Sequence, residues 1–264
     1  MRSIARGASC AAAVCVLTGT LHAASGVLVV EKTTSGTSSQ TNQIQIEPRR
    51  MRAESSGAAG RKQIVVFDAT KQILTLIDPT KKTYTEMTKE DMDRLGGQVS
   101  AAMERMKKQM ATLPPEQRAQ AEAMMKGRGA GAPPKPQYKK VGTDIVGKWT
   151  CDKYEGYEGG KKTSEVCTVD PKVLGFSASD FEISRQLVAF FRKLVPQIAD
   201  QTFTIGTPEE QGFSGVPVRR VFTIGGQSAI TEILEISRRD FADSTFAVPE
   251  GFQKQEFLGA GRGR

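Results

Sequence analysis

The sequence predicts an α+β fold built on an antiparallel sheet, and three observations carry that reading. Short runs of alternating apolar and polar residues, punctuated by turn residues, occupy most of 27–86 and return from about Tyr138 onward. Two longer stretches, starting near Thr88 and Ser179, place apolar residues at intervals of three and four, the helical period. Once a leader is removed, a chain of about 240 residues suits one large domain.

The leader is residues 1–24, MRSIARGASCAAAVCVLTGTLHAA. Arg2 and Arg6 make a positive start, Cys10–Leu21 is a short run of small and apolar residues, and Ala23 to Ser25 offer a signal peptidase its small residues. The run is well short of the roughly 18–20 apolar residues needed to span a bilayer. Cleavage removes His22, the one histidine, together with Cys10 and Cys15. The remaining chain then excludes Ser-His-Asp and Cys-His triads and any zinc site that uses imidazole. A formal charge of +8 falls to about +6 without Arg2 and Arg6. The basic residues are scattered, densest at Lys161-Lys162, Arg219-Arg220 and the tail 258–264, and no nucleic-acid motif accompanies them. A solvated basic surface and attraction to anionic lipid head groups both fit.

The domain proper is expected over 25–257. Val27–Val30 starts a strand, and Ile44 and Ile46 alternate with polar neighbours in a second that Pro48 ends or confines to an edge. Ile64–Phe67, Ile73–Ile77 and Thr83–Thr85 follow, joined by the turns Asp68–Lys71 and Asp78–Lys81. These make a meander.

A helical insertion is expected over about 88–127. Thr88 with Asp91 three residues on resembles a capping box. Met92, Leu95, Val99, Met103, Met106, Met110 and Leu113 then form one stripe on a helix of about 24 residues. Pro114-Pro115 ends it, Glu116–Lys126 starts another helix, and 127–137 is a flexible loop. The methionines Met103, Met106 and Met110 fit gap-filling against a sheet, an adaptable surface for an acyl chain or client, or thioether binding of Cu(I).

Residues 149–169 read as a tyrosine-bearing hairpin turning at Gly159-Gly160. A three-residue loop, Glu158 to Gly160, sets Cys151 directly opposite Cys167, where Cα atoms about 4.5–5.5 Å apart suit a disulfide. The pair lacks the C-x-x-C spacing of a catalytic dithiol and the four ligands of structural zinc. In an exported chain it reads as a staple.

Ser179 with Glu182 is expected to cap a third helix, with the stripe Ile183, Leu187, Phe190, Phe191, Leu194 and Ile198 and a kink at Pro196. Strands at 201–205, 216–224 and 229–237 follow, the last two joined by Gly225-Gly226. The segment from Phe246 to Phe252 closes the domain, and 258–264 is a disordered basic tail.

The order of these parts resembles an exported bacterial family of unassigned function within the LolA/LolB-like superfamily of lipoprotein carriers. The residues behind the resemblance are Ile73–Tyr84, Leu113–Met125, Cys151–Cys167 and Phe246–Phe252. The resemblance implies a curved, incompletely closed antiparallel sheet, a half-barrel, with helices as a lid on its concave face. It also implies an acyl-chain site between sheet and lid, for which Met103, Met106, Met110, Phe190 and Phe191 are the candidate lining and Ile44, Ile46 and Val66 the floor. The expectation is a periplasmic carrier of an apolar ligand or lipid, without catalytic residues, metal or cofactor, without nucleic acid and without a membrane-spanning segment. The alternative is an interaction or stress-related module that docks another envelope protein through its methionine-rich helix.

Overall fold

The computed structural model describes residues 24–56, 61–118, 120, 136–191, 211–224 and 227–257. The expected leader, nearly all of the 119–135 segment, the strand at 201–205, the Gly225-Gly226 turn, the end of the third helix with Leu194, Pro196 and Ile198, and the basic tail lie outside them. In chain order the elements are β1 (Ala24–Ser35), β2 (Ser38–Ile46), β3 (Arg50–Ser56), β4 (Lys62–Asp68), β5 (Ile73–Asp78), β6 (Thr83–Thr88), helix α1 (Lys89–Ala111), β7 (Gln137–Val146), β8 (Trp149–Glu158), β9 (Lys161–Val169), helix α2 (Glu182–Phe191), β10 (Val216–Ile224), β11 (Gln227–Phe241) and β12 (Gln253–Gln255).

One sheet contains all twelve strands, in the order β12-β6-β5-β4-β3-β2-β1-β11-β10-β9-β8-β7. Every pairing is antiparallel except the short β12–β6 edge. The sheet is curved and not closed. β1 pairs with both β2 and β11, so it joins the first meander to the last one.

Local chemistry sets the turns. FDATKQ and IDPTKK are one device used twice. Asp68 Oδ1 accepts from the Thr70 and Lys71 amides, and Asp78 Oδ1 from those of Thr80 and Lys81, all at 3.0 Å. Gln72 and Lys82 then take left-handed backbone (φ 55° and 52°) to re-enter the next strand. β3 is a strand that alternation in RMRAESS does not announce. Its Met51 and Ala53 line up with Ile46 and Ile44 on one side and Phe67 and Val65 on the other.

The sheet packs on both faces. The concave face carries Val27, Val29, Ile44, Ile46, Met51, Phe67 and Leu74, covered by Ile183, Leu187 and Phe190 of α2. Val66 is not part of that floor. Side chains alternate along a strand, so Val66, next to Phe67, belongs to the convex face, in a cluster with Ile64, Ile77, Phe241 and Phe246. There the closing segment, with Val248 and Phe252, packs on the back of the sheet. Arg50 fixes it, bridging Glu47 (2.7 Å) and Asp243 (2.8 Å) while lying 4.6 Å over the Phe246 ring.

The hairpin register also differs from expectation. The turn has two residues, with Glu158 opposite Lys161, and a bulge beyond Tyr157 shifts the pairing again. Lys153, not Cys151, therefore faces Cys167. Cys151 and Cys167 are diagonal neighbours on one face, with Cα atoms 5.4 Å apart, and they form a disulfide. Twist brings one diagonal of a ladder close, which direct opposition does not consider.

The first helix begins with the expected box: Thr88 Oγ1 accepts from the Asp91 amide (3.2 Å) and Asp91 Oδ2 from the Thr88 amide (3.0 Å). The second begins two residues early. Ser177 donates its amide (2.7 Å) and hydroxyl (2.9 Å) to Asp180, opening a 3-10 turn over Ala178–Phe181, and Glu182 continues directly into α2.

Candidate functional site

Strand pairing arranges the concave face in cross-strand rows, and their chemistry changes along the strands. Val27, Ile46, Met51, Phe67, Leu74 and Met87 form the lowest row, and Val29, Ile44, Ala53, Val65 and Leu76 the next. Above these the rows turn polar. Glu31, Asn42 and Ser55 share one, and Arg220, Thr231, Thr33 and Gln40 share another. The face is apolar at one end and hydrogen-bonding at the other.

The apolar end is roofed by α2. Phe190 packs on Phe67 with ring centroids 5.3 Å apart, and Phe191 meets Phe190 edge-on at 5.7 Å. The segment leading into the helix is anchored by Phe181, fully buried, and by Phe176. Arg238 of β11 ties this segment down, donating to both oxygens of Asp180 (3.0 and 2.9 Å) and lying 5.0 Å over the Phe176 ring. Burial alone would raise the Asp180 carboxyl, but Arg238 and the Ser177 donors outweigh it and hold it below the ordinary aspartate value.

At the edge of the roof a crevice of about 280 Å³ opens between α1 and α2, lined by Gln72, Lys89, Met92, Asp93, Gln186, Ala189 and Phe190. Its apolar wall is Met92 and Phe190, and the Lys89–Asp93 bridge (2.7 Å) forms its polar rim. Of the candidate lining, the structure brings Phe190 and Phe191 to the concave core. Met103, Met106 and Met110 are elsewhere. Within α1 only Met92 and Gly96 are buried, Met103 is 39% exposed and Val99 40%, and Met106 and Met110 are half-buried. The methionine that lines the crevice with Phe190 is Met92, one helical turn after the cap.

The polar end is a hydrogen-bonded network with one odd member. Thr33 and Thr231 hydroxyls lie 2.9 Å apart, Asn42 donates to Glu31 Oε1 (3.0 Å), and Gln40 donates to Asn42 (2.8 Å). Beside it, Phe213 packs against Tyr138 (4.9 Å) and Tyr154 (6.0 Å). Tyr138 reaches Ser164 Oγ (3.2 Å) across Gly156, where an added Cβ would come within 2.8 Å of the ring. Arg220 stands among these groups. Burial pushes its guanidinium down, and Tyr138 and Glu31 only partly offset that. In the sequence Arg219-Arg220 reads as a charge cluster. The signal that separates the two is strand alternation, which sends Arg219 to Asp144 (2.5 Å) and Arg220 into the concavity.

Among the described residues no group of three or more His, Cys, Asp or Glu side chains could hold a metal ion, and no helix is long and apolar enough to cross a membrane. No family model matches the chain, and no curated protein matches it in sequence. One solved structure, an uncharacterized conserved protein from Thermus thermophilus, aligns over 89% of this chain and 92% of its own length with a TM-score of 0.44 and 9% identity. A likeness of that degree carries no functional argument.

Proposed function

We propose that the chain is an exported periplasmic binding protein that carries an acyl-bearing ligand between the concave face of the sheet and α2, as its resemblance to the lipoprotein-carrier superfamily implies. The observation that supports this best is the roof itself. Among the described residues an extended apolar face is covered at Phe67 by α2, with a crevice at its edge lined by Met92 and Phe190. At about 280 Å³ the crevice is near the lower limit of ligand pockets, about 300 Å³. A long chain therefore enters only as α2 lifts, exchanging Phe190 and Leu187 contacts for its own. Burying an alkyl chain of about 16 carbons returns on the order of 10 kcal/mol before costs, enough to displace a few side chains.

The test is displacement of a neutral hydrophobic dye, Nile red, from native protein by a long-chain lipid. Phe190→Ala is expected to alter dye affinity, and Lys108→Ala to leave it unchanged. If dye binds only after unfolding, the carrier reading is lost. A second reading, a docking module, is favoured by one specific observation, the exposed Val99 and Met103 of α1. In that case the dye ignores Phe190→Ala and responds to Met103→Ser.

A further inference from the structure

Among the described residues the other half-buried cations hold carboxylates. Arg50 bridges Glu47, Arg52 bridges Glu54 (3.2 Å), Lys153 bridges Glu165 (3.1 Å), Arg185 bridges Glu182 and Arg219 bridges Asp144. Arg220 is also half-buried, yet among the described residues no carboxylate or other acceptor lies within hydrogen-bonding or ion-pair reach of it. A guanidinium does not escape its charge by deprotonating in a protein, and a charge partly withdrawn from water is destabilising while it stays unpaired. A group in that condition signals a missing partner.

The surroundings say what the partner is. Arg220 sits in the row Val166, Arg220, Thr231, Thr33. The next row toward the apolar end includes Ile233 and Glu31, and Val218 lies two residues along Arg220's own strand. Val166, Val218 and Ile233 are all buried. The cation therefore marks the boundary between the hydroxyl-bearing end of the concavity and its apolar end. Glu31 is the carboxylate that acts on it electrostatically, but Glu31 commits Oε1 to Asn42 and makes no ion pair with it. A guanidinium presents a planar fork of donors matched to a carboxylate or phosphate, and the hydrogen-bonded Thr33–Thr231 hydroxyl pair leaves one further O–H donor beside it.

We infer that Arg220 binds the anionic head of the carried amphiphile, a carboxylate or phosphate, with Thr33 and Thr231 alongside and the acyl tail directed down the strands. From the row of Thr33 to that of Val27 is six residues, or about 20 Å of strand, which is the length scale of a long acyl chain. This rests on the carrier reading above and adds the chemistry of the head group to it.

The experiment compares palmitate with hexadecanol as displacers of Nile red from wild-type protein and from Arg220→Met and Glu31→Gln, with far-UV circular dichroism on each. Palmitate is expected to outcompete hexadecanol by about tenfold or more, the range of a hydrogen bond to a charged group. Arg220→Met should erase that preference and leave hexadecanol unchanged. Glu31→Gln, which keeps the amide of Asn42 satisfied and removes the opposing charge, should tighten palmitate several-fold. Equal displacement by both ligands in wild type overturns the head-group assignment and leaves the carrier. No displacement by either overturns both. Displacement of palmitate by millimolar inorganic phosphate at the same strength would make this a bare anion site and overturn the amphiphile. A Glu31→Gln protein with weakened palmitate binding would also overturn the assignment.

Discussion

Helices α1 and α2 carry apolar stripes of the same spacing and end in opposite environments. In α2 the stripe Ile183, Leu187, Phe190 is buried on the concave face, while in α1 the stripe is buried at Met92, exposed at Val99 and Met103, and half-buried at Met106 and Met110. The difference is in what precedes each helix and where each is delivered onto the sheet. α2 is delivered onto the middle of the sheet by a segment pinned through Asp180 and Arg238. α1 has 23 residues, about 35 Å at 1.5 Å per residue, and starts from β6, beside the edge of the sheet. Its first two turns find the core and the rest runs past it. A stripe states that a helix has an apolar face, and the position of its first residue decides whether anything covers that face.

The largest expected effect tests the covered helix. Ile183 is fully buried, and Ile183→Asp puts an unpaired charge in the concave core. A loss of at least about 3–5 kcal/mol is expected in urea melts, enough to unfold a marginal domain. A loss under about 1 kcal/mol would mean that α2 is not seated as described. Next is the staple, whose Cys151 and Cys167 belong to the same buried cluster as α2. Breaking their disulfide frees a loop of about 17 residues, worth roughly 3 kcal/mol in the chain-entropy model. The Cys151→Ser, Cys167→Ser double variant should lose about that amount, and free thiols in protein purified without reductant would contradict the bond.

A smaller effect concerns the tether. Asp180 has a lowered pKa in the folded state, so its contribution is fully present above the unfolded value of about 3.9. It is lost as pH falls through the lower folded value. Arg238 is 47% exposed, so the contribution is about 1 kcal/mol or less. Melts from about pH 6 down to about pH 3 should therefore show a steeper loss for wild type than for Arg238→Met. Parallel curves would remove the tether from the account of why α2 stays in place.

Much of this architecture is legible in the residues. Apolar runs bounded by turn residues locate β4 and β5, which have a core on each face, alternation helps to locate β11, and the Thr88–Asp91 box marks the start of α1 to the residue. β3 is not legible, because RMRAESS gives the core only Met51 and Ala53, and its other face holds ion pairs such as Arg50 with Asp243. The cysteine bond is legible but its register is not, since one bulge at Tyr157 moves every pair beyond it. Val66 shows the same limit for faces: in IVVF every residue is apolar, and only pairing with β5 decides which one faces α2. Arg220 reads in sequence as one of a basic pair, and its isolation emerges only when β10 is placed beside β11 and β9.

The smallest effect is the sharpest test of the comparison. Met103 lies two turns beyond Gly96, the last buried residue of α1, and is 39% exposed. If that half of the helix stands in water, Met103→Asp changes a solvated side chain for another and falls within about 0.5 kcal/mol of wild type. Aspartate also has a lower helix propensity than methionine, a penalty of about a few tenths of a kcal/mol. Its charge would lie one turn before Lys107, a neighbour that attracts it. The same substitution in a stripe that packed on a sheet, as in α2, would cost several kcal/mol. A near-zero value for Met103→Asp beside a large one for Ile183→Asp fixes the contrast between the two helices. A loss of more than about 2 kcal/mol at Met103 would show that its stripe is covered after all, and would return Met103, Met106 and Met110 to the core.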